Sequence, residues 1–178
     1  MVKKKIGILG GTFDPPHQGH LEISKLSIKK LKLRCVIWAI TKKNPFKKKP
    51  LLSLQKRIFL SKKISKKIKK IRVKFYEEKI KTSETINLIN FLKKKDKKTE
   101  FFFLMGSDNL VSFHKWKDWK KLSKKCRITV FPRRGYVKKS LKSSAYRTLG
   151  GRNVLFIKSK MFNISSSKIR KNYLNYKY

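Results

Sequence analysis

A chain of 178 residues with 39% hydrophobic residues is long enough for one core of ordinary size and too short for two comfortable domains, so residues 1–178 are expected to form a single domain. Fifty Lys and Arg against nine Asp and Glu give a formal net charge of +41, which taken alone points to nucleic acid or an anionic membrane as partner. The lysines, however, are spread over nearly every segment, and Ile, Phe and Asn are also plentiful; this is the pattern of an A- and T-rich codon bias with solvated lysines, not of a binding stripe.

The chain opens on a short apolar run, Ile6 to Leu9, that ends at Gly10-Gly11. Such a run is too short for a spanning helix and unlike a signal peptide, so a soluble, cytoplasmic protein is expected. It reads instead as a buried parallel strand entering a tight phosphate loop. A helix is placed from about Gly19 by position more than by periodicity, since Leu21, Ile23, Leu26, Ile28 and Leu31 form no clean stripe. Leu33 to Ile40 reads as a second strand closing a β-α-β unit, and the basic, proline-containing stretch Thr41 to Pro50 as an exposed loop. Leu54, Ile58, Ile64, Ile68 and Ile71 share one sector at helical period, which predicts a helix. Arg72 to Tyr76 is expected to be a strand, Ser83 to Leu92 a helix and Phe101 to Met105 an apolar strand. Arg127 to Phe131 and Val154 to Ile157 supply two more strands, and Ser165 to Asn172 a last short helix. Alternation of this kind predicts a Rossmann-like α/β fold, a parallel sheet with helices on both faces, whose ligands sit beyond the carboxyl ends of the strands. Cys35 and Cys126, both in stretches that read as strands and without neighbours at metal-ligand spacing, are expected to be buried free thiols, and no metal site is read from the residues.

One segment carries chemistry by itself: Gly10-Gly11-Thr12-Phe13-Asp14-Pro15-Pro16-His17-Gln18-Gly19-His20. Glycines let backbone approach a phosphate, and a helix starting near Gly19 aims free N–H groups at the same place. Two of the chain's three histidines, three residues apart, would stand on one side of that helix start as donors to phosphate oxygens. A Gly-Gly turn with two incidental surface histidines is the plainer alternative, and the crowding of these residues after an N-terminal strand argues against it.

The segment resembles the G-G-[TS]-F-x-P-x-H-x-G-H signature of the HxGH nucleotidyltransferase superfamily at every position. Ile164-Ser165-Ser166-Ser167-Lys168-Ile169-Arg170 is similar to that superfamily's I-S-S-T-x-I-R, with Ser167 in place of Thr. The middle of the chain resembles the bacterial nicotinate-nucleotide adenylyltransferases in particular. Asn44-Pro45-Phe46-Lys47 matches their N-P-x-K, Thr82 to Thr85 their T-x-x-T, and the run from Gly106 to Trp119 their G-x-D-x-x-x-x-F-x-x-W-x-x-W. Val130 to Tyr136 matches less well, because Arg134 stands where the family has proline.

The resemblance implies adenylyl transfer from ATP to nicotinate mononucleotide, giving nicotinate adenine dinucleotide and pyrophosphate in NAD biosynthesis. It implies that Gly10, Gly11, Thr12, Phe13, Gly19, His20, Gly106, Asp108, Ile164, Ser165, Ser166 and Arg170 hold ATP, with His17, His20 and Arg170 at the reacting phosphates. Thr12, Asn44, Lys47, Thr85, Trp116 and Lys117 would hold the mononucleotide, Trp116 by stacking on the pyridine ring and main-chain N–H groups near Thr85 and Lys117 by binding its carboxylate. Phe113, Trp116 and Trp119 lie three apart, so two of them could line one side of a helix, and Phe113 and Trp119 read as core. Mg2+ would be carried mainly by the ATP phosphates, since so few carboxylates are available. Within the superfamily a phosphopantetheine adenylyltransferase is the nearest rival, but it usually has Thr in place of His17 and lacks the paired tryptophans. No specific nucleic acid and no membrane partner are expected, and monomer and homo-oligomer both stay open.

Overall fold

Among the described residues six strands pair in parallel, in the order β3-β2-β1-β4-β5-β6. They are β1 (Lys5–Gly11), β2 (Cys35–Ile40), β3 (Ile71–Phe75), β4 (Glu100–Gly106), β5 (Arg127–Phe131) and β6 (Val154–Phe156). The computed structural model describes residues 3–46, 49–159, 165–167 and 169–170. The helices are α1 (Gln18–Lys30), α2 (Leu54–Ser65), α3 (Glu77–Ile80), α4 (Thr85–Lys95), α5 (Ser107–Ser112), α6 (Trp119–Lys125), α7 (Val137–Leu141) and α8 (Ser144–Asn153). This is the doubly wound, Rossmann-like arrangement: the strand order runs outward from β1 on one side and from β4 on the other, so the sheet reverses between them.

Strands buried on both faces divide their side chains between two cores, and the alternation is visible residue by residue. Ile6, Ile8, Ile37, Phe101, Phe103, Met105, Ile128 and Val130 face one side, where Ile86 and Ile89 of α4, Leu110 of α5, Leu122 of α6 and Ala145 of α8 cover them. Leu9, Val36, Trp38, Ile40, Phe102, Leu104 and Phe131 face the other, under Leu21 of α1 and the partly buried Leu54 and Ile58 of α2. Both faces thus lose water, and the carboxyl edge between β1 and β4 is left as the open crevice.

The structure departs from the expected elements in ways with identifiable causes. The helical stripe predicted through Ile71 stops at Ser65; Ile68 donates its N–H to Ser65 O at 2.9 Å, and Ile71 opens β3 opposite Val36. Strand pairing of Ile71 therefore overrides the helical spacing, while Ile68 still packs on the same core. Phe113, Trp116 and Trp119 lie on no common helix, because a 3-10 turn (Phe113–Lys115) leads to an extended Trp116 and α6 begins only at Trp119. Cys35 lies in β2 as expected, but Cys126 lies between α6 and β5; both thiols are free and buried, and burial pushes that of Cys126 up to about 12.

Candidate active site

The loop between β1 and α1 is organised by its two histidines. His17 is the N-cap of α1, and its Nδ1 accepts the Gly19 N–H at 3.1 Å. His20 Nδ1 in turn accepts the His17 N–H at 3.1 Å, which completes a reciprocal capping box built from imidazoles. A ring nitrogen that accepts a backbone N–H cannot carry a proton itself, so a ring held in this way donates from Nε2, the atom a phosphate oxygen needs as donor. Burial, reinforced by the Arg133 charge, pulls the His17 imidazole from 6.5 down to about 4, so this ring is neutral at physiological pH.

Underneath, the rings are held in place by aromatic packing. Phe13, at φ 50° and buried, stacks on Trp38 with centroids 5.0 Å apart and lies 4.6 Å from His20. Ser24 Oγ donates to His20 O at 2.8 Å and accepts the Trp38 Nε1–H at 2.8 Å. The imidazoles consequently stand on a stiff floor, which is what aiming a donor at developing charge requires.

The two signature segments meet across the length of the chain. Ser166 Oγ donates to Pro15 O at 3.0 Å, and Arg170 donates through Nη1 to Asp14 O at 2.6 Å and through Nη2 to Ser167 Oγ at 3.2 Å. A cleft of about 430 Å³ between them is lined by Gly10, Gly11, Thr12, Phe13, His17, Gly19, His20, Gly106, Asp108, Ser165, Ser166 and Arg170. Ile164 lies outside the described residues. Asp108, in the first turn of α5, pairs with Arg133 through Oδ2, while its buried Oδ1 has no hydrogen-bond partner among the described residues. A Cβ at Gly106 would collide with that same Oδ1, so a larger residue there would have to displace the Asp108 carboxylate.

A second cleft, of about 310 Å³, opens on the other side of the loop and is lined by Thr12, Asn44, Thr85, Trp116 and Lys117. The two clefts share Gly10, Gly11, Thr12, Phe103, Asn109 and Trp116, so their contents would meet over the glycine loop. Trp116 is held by edge contacts to Phe103 and Phe113, with centroids 5.8 and 5.4 Å apart. Phe113 is fully buried and Trp119 partly so, both against the sheet. Thr85 is the first residue of α4, whose leading N–H groups a helix leaves unpaired. Lys117 Nζ reaches Glu84 at 2.9 Å, and Asn44 Oδ1 accepts the Phe46 N–H at 2.9 Å, which shapes the loop that follows β2. Lys47 lies outside the described residues.

Four charged residues that sequence reasoning passed over shape this region. Asp14 accepts the Leu51 and Leu52 N–H groups at 2.9 and 3.0 Å; Arg57 is buried against four carbonyls; Glu77 accepts the Lys42 N–H and the Thr41 hydroxyl; Arg133 faces Asp108. Asp14 occupies a variable position of its motif and Arg133 lies inside the Val130 to Tyr136 segment, whereas Arg57 and Glu77 had no sequence signal beyond their charge.

A parallel doubly wound sheet with two imidazoles and a helix start at its reversal point defines a nucleotide-handling transferase, and the Cytidylyltransferase-like family matches the chain over residues 8–172. A Pelagibacter ubique protein named "Probable nicotinate-nucleotide adenylyltransferase" is 56% identical over 169 residues, 95% of this chain and 93% of that protein. A protein of the same name from a Ruegeria species is 35% identical over 130 residues, covering 73% and 68%. The chain belongs to the nicotinate-nucleotide adenylyltransferase family. Its fold is also that of the Plasmodium falciparum nicotinic acid mononucleotide adenylyltransferase complexed with NaAD, at TM-score 0.75 and 22% identity over 94% of this chain and 83% of that one. No helix among the described residues is long and apolar enough to cross a membrane.

Proposed function

We propose that this protein transfers the adenylyl group of ATP to nicotinate mononucleotide, forming nicotinate adenine dinucleotide and pyrophosphate. The observation that carries the reading is the pair of clefts sharing Gly10 to Thr12 and Trp116, one faced by the histidines and Arg170, the other by Trp116 and the start of α4. ATP is assigned to the first and the mononucleotide to the second. An oxygen of the mononucleotide phosphate attacks the α-phosphorus, and the bond from that phosphorus to the bridging oxygen of pyrophosphate breaks as the new one forms. The attacking oxygen is already anionic at neutral pH, so alignment and charge stabilisation do most of the work.

His20 is assigned to the α-phosphate, where its Nε2–H meets charge as it develops, and His17 to the adjoining phosphates. Ser165, Ser166 and Arg170 are assigned to the departing β- and γ-phosphates, and Asp108, which lines the same cleft, to ribose hydroxyls. Trp116 supplies the stacking surface for the pyridine, and the N–H groups at Thr85 and Lys117 its carboxylate contacts. Those donors favour the acid over the amide form, because they offer positive charge to a carboxylate and cannot themselves accept amide hydrogens. Asn44 shapes the acceptor loop, and Lys47 is assigned to the mononucleotide from its motif.

Mg2+ would neutralise charge on the triphosphate. Asp14 and Asp108 are the carboxylates lining the nucleotide cleft, and each is engaged by an arginine; no cluster of three metal-ligating side chains occurs among the described residues. A cation held mainly by ATP oxygens and water fits that donor set. One domain spanning residues 1–178 carries the activity, and the cytoplasm, where ATP is abundant, is the compartment this reading assigns. The test is pyrophosphate release from ATP with nicotinate mononucleotide, nicotinamide mononucleotide or phosphopantetheine as acceptor: release with the first is expected, and release with phosphopantetheine alone would overturn the reading.

A further inference from the structure

Arg57, on α2, is 2% exposed, and every hydrogen bond recorded for it ends on a backbone carbonyl. Nη1 donates to Thr12 O at 2.6 Å and to Thr41 O at 2.7 Å, Nη2 to Lys42 O at 3.0 Å, and Nε to Leu52 O at 3.1 Å. Those four oxygens belong to different parts of the site. Thr12 lies in the phosphate loop; Thr41 and Lys42 begin the loop that carries Asn44 into the acceptor cleft, and Leu52 ends it.

Burying a guanidinium is costly, and an apolar side chain of similar size would fill the same space with less penalty. What an apolar chain would lack is the planar fork, which holds several acceptors at fixed separations. The charge is balanced at a distance: burial works against it, and the Asp14 and Glu77 carboxylates work for it. The same two carboxylates grip the same loop, Asp14 through the Leu51 and Leu52 N–H groups and Glu77 through the Lys42 N–H. Asp14 Oδ2 also lies 3.5 Å from Arg170 Nη1. The acceptor loop is therefore fastened to the ATP side at both of its ends, with Arg57 at the centre of the fastening.

We propose that Arg57 is a positioning residue for adenylyl transfer, which fixes the spacing between the loop that holds ATP and the loop that holds the acceptor. It touches neither substrate and acts through Thr12, Thr41 and Lys42. This inference rests on the adenylyl-transfer reading above. Since each loop keeps its own ligand contacts, loss of the fork misaligns the attacking oxygen and the α-phosphorus without abolishing either binding site. A misplacement of about 1 Å is enough to cost on the order of a hundredfold in rate.

The test uses the full chain with Arg57→Lys, which keeps the charge but not the fork, and Arg57→Met, which keeps neither. Folding is followed by circular dichroism and thermal melting, kcat by pyrophosphate release well below the melting temperature, and the separate Kd values for ATP and nicotinate mononucleotide by calorimetry. Both variants are expected to lose about 10- to 100-fold in kcat while each Kd stays within about threefold of wild type. A purely structural role would lower the melting temperature and leave kcat per folded molecule intact, and that result overturns the proposal. So does a loss confined to one Kd, or failure of both variants to fold. An inactive wild type would overturn the adenylyl-transfer reading itself, and this one with it.

Discussion

Replacing His20 with Asn separates two roles that the structure combines in one ring. His20 Nδ1 accepts the His17 N–H at 3.1 Å, and its Nε2–H is assigned to the α-phosphate. In His20→Asn the amide oxygen takes the place of Nδ1, so the cap is kept, but the shorter side chain no longer reaches the phosphate. His20→Ala removes both. A donor aimed at developing charge is worth about 10²- to 10³-fold in kcat, or roughly 2.7 to 4 kcal/mol, and both variants should lose that much. Loss of the cap costs about 1 kcal/mol, which in a chain of this size lowers Tm by roughly 2 to 4 °C, and this should appear in Ala but not in Asn. The assay is kcat from pyrophosphate release beside thermal melts of the three proteins. Activity of His20→Asn within a few-fold of wild type would remove the Nε2 donor from the mechanism, and equal melting losses in the two variants would refute the capping role.

The depressed His17 carries a pH signature. The unfolded ring takes up its proton near 6.5 and the folded one only near 4, so between these values the unfolded state binds more protons and stability falls as pH falls. The full difference corresponds to roughly 3 kcal/mol, which solvent screening of a partly buried ring reduces to about 2 kcal/mol. Urea unfolding between pH 4 and pH 8 should show that decline in wild type and a shallower one in His17→Asn, and identical slopes would contradict the assignment. Trp116→Ala removes a stacking surface worth about 1 to 2 kcal/mol, so KM for the mononucleotide should rise about 5- to 30-fold while KM for ATP changes less than about threefold; steady-state kinetics with each substrate varied in turn would expose an equal effect on ATP as a refutation.

The strands were the legible part of this chain, for a physical reason. A strand covered on both faces must be apolar throughout, so Phe101 to Met105 and Arg127 to Phe131 stand out from the lysine background, and β5 keeps its expected bounds. The helices α3, α7 and α8 were not predicted, because none shows a clean stripe and their exposed positions are mostly polar. At the site, residues that contact ligand are confined to loops of unusual composition, and those loops were visible. Asp14 and Arg57 act through main-chain atoms of Leu51, Leu52, Thr12, Thr41 and Lys42, contacts that depend on how the loops fold back and leave no periodic trace. Arg57 in particular is one cation among fifty.

Two mononucleotides that differ only in a ring substituent test the central claim most directly. Donors at the start of α4 and beside Trp116 favour a carboxylate, since charge-assisted hydrogen bonds are about twice as strong as neutral ones and an unpaired buried amide hydrogen costs on the order of 1 to 3 kcal/mol. The measurement is the ratio of kcat/KM for nicotinate against nicotinamide mononucleotide at saturating ATP. A preference for nicotinate of about ten- to a hundredfold or more is predicted. Equal efficiencies, or a preference for the amide, would contradict the assignment of the acceptor.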